Sequence, residues 1–275
     1  MTDLERATAA LTRVGVAAQR LGIDAQWLQA ATKHLGNAPA RYLRTWFDTE
    51  TPGLALRCES PVALARRPGG VRFVEVDSDG RVYELAVGTR RFAEDRQLIE
   101  HVPAPALDGI ERILDLLGRG RCDALGRMDS PRPSSATRES VWTVSLVEVA
   151  GEDLPLSAAK LGAHAHRLGV PPPDTALLQQ AHVALGGKGY TATFTCDRTG
   201  VGRNVTLEYR DIAWTHVIGL TDAIRPGTSS AKQLGAFAGA MDAGDSASGL
   251  AITYRAGKPA LVRVAIDRIQ TTETD

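Results

Sequence analysis

The stretch from Arg167 to Asp211 alternates between two hydrophobic periods and reads as helix, turn, strand, turn, strand. Pro171, Pro172 and Pro173 stop one helix, and Asp174 is a suitable N-cap for the next. Leu177, Leu178, His182 and Leu185 then recur at helical spacing until Gly186-Gly187 ends the run. Tyr190–Cys196 and Asn204–Arg210 switch to period two around a turn that carries Gly200 and Gly202. One face of this hairpin holds Tyr190, Ala192, Phe194, Val205, Leu207 and Tyr209. The other holds Thr191, Thr193, Thr195, Asn204, Thr206, Glu208 and Arg210. A strand face that is polar at every position either meets water or lines a polar cavity. The pattern leaves both open.

The same two-faced alternation returns near the C-terminus. Leu250, Ile252, Tyr254, Val262, Val264 and Ile266 oppose Ala251, Thr253, Arg255 and Arg263, around Ala256-Gly257-Lys258-Pro259. A third hairpin is expected over Val71–Asp77 and Arg81–Val87, with Ser78-Asp79-Gly80 at its turn. Leu54–Cys58 and Val141–Val149 read as further strands, while Tyr42–Phe47 fits either a short helix or an entry into the sheet. Helical periodicity predicts helices over Leu4–Leu21, from the Asp24 cap to Leu35, and over Phe92–Glu100, Leu107–Leu117, Leu156–Leu168 and Ser229–Met241. Residues 211–222 suit a strand or a buried helical turn. Residues 123–139, with two prolines and three serines, read as a linker or surface loop.

These elements predict an α+β protein of antiparallel hairpins alternating with helices, folded as one domain over 1–275. Arg20-Leu21-Gly22-Ile23 and Arg167-Leu168-Gly169-Val170 each precede a helix that ends in Leu-Gly. That hints at two pseudo-repeated halves, 1–122 and 140–275, joined by the loop at 123–139.

Composition removes several classes of function. Lys+Arg and Asp+Glu balance at 32 each, so no net field draws nucleic acid or an anionic membrane. The N-terminus lacks the basic and apolar regions of a signal peptide, and no run approaches the roughly 18 apolar residues of a membrane span. A soluble, cytoplasmic protein is expected. Cys58, Cys122 and Cys196 are far apart and match no metal spacing, so unpaired thiols are expected. There is no P-loop, GxSxG, HExxH or DDxxD motif, and no cofactor is expected. His164 and His166 point to different sides of a predicted helix, while His182 and His216 show no partner.

The sharper chemical signal is arginine in mid-strand, at Arg72, Arg81, Arg210, Arg255 and Arg263. A strand guanidinium needs water or an anion. If the sheet closes, these side chains converge on a lumen and could hold a diphosphate without metal. If it stays open, they form a solvated face.

The segments LGVPPPDTALL, YTATFTCDRTGVGRNVTLEYR and GLAITYRAGKPALVRVAID resemble, in order, spacing and hairpin length, the last two repeats of the ABBA prenyltransferases. These are soluble aromatic prenyltransferases of bacterial secondary metabolism. VRFVEVDSDGRVYELAV is similar to another hairpin of that family, and the likeness spans about 130 residues. It implies an ABBA-type barrel of about ten strands with helices outside. It also implies metal-independent transfer of a prenyl group from a prenyl diphosphate to an aromatic acceptor, so that the partners are small molecules. By that likeness Arg263 matches a diphosphate-binding position on the final strand, and Arg81 lies near another on an earlier hairpin. Asn204 stands where the family usually has arginine, with Arg203 beside it. Glu208 would orient the acceptor or take its proton, Tyr83 would stack on the allylic cation, and Arg72, Arg210 and Arg255 would complete the substrate-binding set. The chain departs from the family in its aromatic content, only 5%.

Two rivals follow from the same pattern. One is a non-catalytic partner-binding protein, loosely similar to the chaperones of type VII secretion, which docks a helix on an open sheet face or strand edge. The other is a cofactor-free cyclase or isomerase using the same lumen. Closure of the sheet separates the first rival from the enzymes.

Overall fold

A computed structural model describes residues 3–35, 42–50, 52–59, 70–88, 102–116, 124–130, 139–148, 189–200, 202–226, 230–255 and 258–270. Among the described residues ten strands form a closed antiparallel barrel. They are β1 (Tyr42–Asp48), β2 (Gly53–Glu59), β3 (Gly70–Asp77), β4 (Val82–Gly88), β5 (Ala124–Ser130), β6 (Glu139–Glu148), β7 (Tyr190–Asp197), β8 (Gly202–Ala213), β9 (Ser246–Arg255) and β10 (Lys258–Gln270). Sequential strands pair with each other, and β1 pairs with both β2 and β10, which joins the ends of the sheet. A partner-binding sheet with a free strand edge is therefore not what this chain builds.

Closure decides which face goes where. A barrel of about eight strands is just filled by its own side chains, and a wider one encloses a cavity. Ten strands leave a lumen that the polar faces can line, while the apolar faces turn outward and need cover. Tyr190, Ala192, Phe194, Val205, Leu207 and Tyr209, the apolar set of the β7–β8 hairpin, are all at most 2% exposed. Leu250, Ile252, Val262 and Val264 are fully buried on the next two strands.

The cover comes from helices on the outside. α1 (Asp3–Leu21) and α2 (Trp27–Leu35) precede the barrel, and α3 (Ala104–Leu116) packs against β6 and β7. α4 (Trp214–Ile224) and α5 (Ser230–Met241) link β8 to β9. Val14, Ala17, Ala18, Leu234, Phe237 and Met241 sink into one core with the outward strand residues. Phe47 of β1 stacks on Phe237 of α5 at 5.3 Å. The loop before α2 is set by Asp24, whose carboxylate accepts the Gln26 N–H at 2.9 Å. At the β7–β8 turn Gly200 has φ +76, and a Cβ there would lie 2.1 Å from the Pro105 carbonyl oxygen. α3 can approach this turn only because glycine occupies it.

Several local expectations change. Tyr42–Phe47 is strand, in β1. Ala124–Ser130, inside the stretch expected as a loop, is β5, held by full registers to β4 and β6. Its prolines lie beyond the strand, so pairing on both sides outweighs weak local propensity. At 211–222 the strand runs to Ala213, broken in phase by Asp211 at φ 53, and Trp214 then starts α4. The helices expected at 92–100, 156–168 and 174–185 lie outside the described residues. Cys58 and Cys196 are free, buried thiols, and burial pushes them up to about 12 and about 11. Cys122 lies outside the described residues. Among those described, no helix is long and apolar enough to cross a membrane.

Candidate functional site

Register fixes the lumen. Glu208 pairs with Ala251, Ala251 with Arg263, Arg263 with Asp48, and Ala265 with Trp46. Trp46 faces Ala55, and Arg44 faces Arg57 and Asp267. Arg57 in turn pairs with Glu75, and Glu75 with Tyr83. Trp46, Ala55, Ala251 and Ala265 form a small buried cluster inside the barrel, separate from the main core under the helices. Small alanines on three strands leave room for the one large ring.

Trp46 is surrounded by cations. The guanidinium carbons of Arg44, Arg57 and Arg263 lie 5.3, 5.9 and 5.1 Å from its ring centroid, inside the range of cation–π attraction. Its indole N–H is buried without a hydrogen-bond partner. Each arginine also meets a carboxylate. Arg44 donates through Nε and Nη2 to both oxygens of Asp267 (2.5 and 2.7 Å) and through Nη1 to Glu208 (2.5 Å). Arg57 reaches Glu75 Oε2 from Nε at 2.9 Å and Nη2 at 2.7 Å, and Arg263 Nη2 reaches Glu75 Oε1 at 3.0 Å. Burial opposes ionisation of Glu75, but the charges of Arg263 and Arg57, and their hydrogen bonds, outweigh it and hold the carboxyl down at about 2.

The hairpin-turn end of the lumen opens into a cavity of about 390 Å³. Asp48, Gly53 and Ala55 line it from β1 and β2, Glu75, Asp77 and Tyr83 from β3 and β4, and Leu261 and Arg263 from β10. The Tyr83 hydroxyl donates to Asp77 at 3.0 Å, and burial followed by the Asp77 charge pushes its pKa up. Among the described residues no group of three or more histidine, cysteine, aspartate or glutamate side chains could hold a metal ion.

The residues singled out from sequence fall in different places. Arg263 and Tyr83 face the cavity, and Arg81 stands at its mouth, exposed and 3.3 Å from Asp79. Arg255 shares the lumen face with Thr253 and Asn204 and pairs with Glu50 of the β1–β2 turn at 2.9 Å, next to Arg225 at 3.8 Å. Asn204 sits between Thr195 and Arg255. Glu208 lies deeper, on Arg44. Arg210 is exposed at the opposite end of β8 from Asn204. Arg72 is in β3, in register with Ala86 and in phase with Val74 and Val76 rather than with Glu75.

Five residues at the centre, Arg44, Trp46, Arg57, Glu75 and Asp267, escaped the reading of the sequence. Alternation in LRTWFD and LALRCE carried the signal: Leu43, Thr45 and Phe47 point one way, and Arg44, Trp46 and Asp48 the other. The aromatic, apolar stretch Tyr42–Phe47 suits a short helix as well as a strand, which masks that alternation.

No protein-family model matches the sequence, and no curated protein matches it either. Solved structures do resemble the fold. Prenyltransferase PriB in a binary complex with product diphosphate superposes with a TM-score of 0.65 at 15% identity, covering 98% of this chain and 96% of PriB. The 5-dimethylallyltryptophan synthase from Streptomyces coelicolor gives 0.65 at 13%, covering 94% and 95%. NotF in complex with brevianamide F and DMSPP gives 0.69 at 9%, covering 99% and 96%. The chain thus has the ABBA-type barrel fold of aromatic prenyltransferases over nearly its whole length.

Proposed function

We propose that the barrel transfers a prenyl group from a prenyl diphosphate to an electron-rich aromatic acceptor, as small-molecule chemistry of secondary metabolism. The observation that carries this is the pairing of two guanidiniums, Arg57 and Arg263, with the Glu75 carboxylate, which lines the cavity together with Arg263. The two guanidiniums meet on Glu75, and Arg263 reaches the cavity, which Arg81 and the carboxylates of Asp48, Asp77 and Asp79 also line. The likeness in fold to PriB, which is solved with product diphosphate and with L-tryptophan and dimethylallyl thiolodiphosphate, supports the reading.

In the step proposed, the allylic carbon–oxygen bond breaks and its electron pair leaves on the diphosphate oxygen. Arg263 and Arg57 stabilise that developing charge in a partly desolvated site, where preformed cations act most strongly. The aromatic acceptor attacks the allylic carbon, forming the new carbon–carbon bond, and its ring then loses a proton. Tyr83 lines the same cavity and presents a ring to the cationic fragment. Glu208, whose Oε1 is held by Arg44, is assigned the orientation of the acceptor and receipt of its proton. Arg81 at the mouth would attract and guide the diphosphate, with Arg255 and Asn204 on the lumen face of the neighbouring strands, whereas Arg72 and Arg210 stand away from this site.

The test is incubation with dimethylallyl diphosphate and a panel of phenols and indoles, with and without EDTA. Prenylated product and released diphosphate are expected in both conditions. Their absence across the panel contradicts the assignment.

A further inference from the structure

Arg57 and Arg263 are held before any ligand arrives. Glu75 is 8% exposed and accepts from both guanidiniums, Arg57 on one oxygen and Arg263 on the other. Its carboxyl, held down at about 2, remains an anion throughout the neutral range. Glu75 and Arg263 both line the cavity, beside Asp48, Asp77 held by the Tyr83 hydroxyl, and Asp79 paired with Arg81, so an entering anion meets the Glu75 carboxylate and the Arg263 cation together. Arg263 keeps unused capacity: its Nε is buried without a hydrogen-bond partner.

A tethered carboxylate competes at a high effective concentration because its translational freedom is already gone. A free monoanion that replaces it gains no charge and loses its own freedom, so exchange is unfavourable. A diphosphate brings more negative charge and more acceptor oxygens, and the Coulomb gain on two guanidiniums rises with that charge. We propose that Glu75 is a built-in competitor for the anion of the lumen, holding Arg57 and Arg263 until a polyanion displaces it, and so sets the preference for diphosphate over singly charged groups. This rests on the proposed function, because it assumes that the cavity receives an anion.

Calorimetric titration of the full chain with inorganic pyrophosphate, inorganic phosphate and acetate tests it in wild type, Glu75→Gln and the double variant Glu75→Gln/Arg57→Gln. Wild type is expected to bind pyrophosphate and to ignore acetate. Glu75→Gln should bind pyrophosphate between about ten- and a hundredfold more tightly, the worth of one charge-assisted hydrogen bond, and should gain measurable binding of phosphate. The double variant keeps the wild-type net charge and avoids stranding two cations, so it serves as the second test where the single variant does not fold. Its ratio of pyrophosphate to phosphate affinity should also fall. An unchanged ratio in both variants, with wild type still binding pyrophosphate, overturns the role of Glu75. No binding of pyrophosphate by any of the three overturns the reading of the cavity itself.

Discussion

Among the described residues, two ionic clusters of the lumen have opposite stoichiometry and meet at Trp46. Deep in the barrel one cation, Arg44, is shared by two carboxylates, Asp267 and Glu208. Beside the cavity two cations, Arg57 and Arg263, share one carboxylate, Glu75. The side chains of Arg44 and Asp267 are 6% and 8% exposed and that of Glu208 22%, against 23% for each arginine and 10% for the carboxylate of the second cluster. Asp267 is fixed further by the Ser248 hydroxyl, which accepts its backbone N–H at 2.8 Å. The deep cluster cross-links β1, β8 and β10 through Arg44, while Glu208 stays partly exposed for the role proposed for it. The outer cluster sets two guanidiniums on one carboxylate beside the cavity, and under the proposed function its work is to meet an anion.

Breaking the two clusters should therefore produce different failures. Arg44→Ala leaves two carboxylates facing each other in a buried site, and loss of one partner from such a pair costs about 3–5 kcal/mol. Urea unfolding should show that loss directly. Arg263→Ala leaves Glu75 still held by Arg57, so stability should fall much less. Transition-state stabilisation should suffer instead, with kcat/KM for the prenyl diphosphate down by roughly ten- to a hundredfold. Stability falling as far as in Arg44→Ala would erase the distinction.

A smaller effect should appear in acid. The Glu75 carboxyl is lowered from 4.5 when unfolded to about 2 in the fold, so the native state binds fewer protons in between. Its contribution is complete above about pH 4.5 and is lost as pH falls toward 2. Glu75→Gln should flatten that limb of the stability curve, measured by thermal melts between those limits. Smallest of all is Arg81→Ala: the side chain is half exposed and its ion pair with Asp79 is a surface one, so stability should change by no more than about 0.5 kcal/mol.

How much of this was legible in the chain follows from where each signal sits. The β3–β4, β7–β8 and β9–β10 hairpins were readable because a glycine-bearing turn or break flanks strict alternation, and that alternation correctly sorted Val205 from Asn204 and Val264 from Arg263. β5 was not readable, because a strand as short and polar as ALGRMDS exists only through its neighbours. Arg263 could be picked out as a strand arginine, but its partner could not. Glu75 is 188 residues away in sequence and adjacent only after the barrel has closed. Arg210 shows the converse: alternation put it in phase with Glu208, yet it stands at the exposed end of that face, where phase no longer means lumen.

The central claim is that the cavity beside Arg57 and Arg263 accepts a prenyl diphosphate. Calorimetric titration of wild-type protein with dimethylallyl thiolodiphosphate tests it most directly. The account predicts saturable binding at one site per chain, abolished by excess inorganic pyrophosphate. No heat of binding up to millimolar analogue, from protein that is folded by thermal melt, would contradict it.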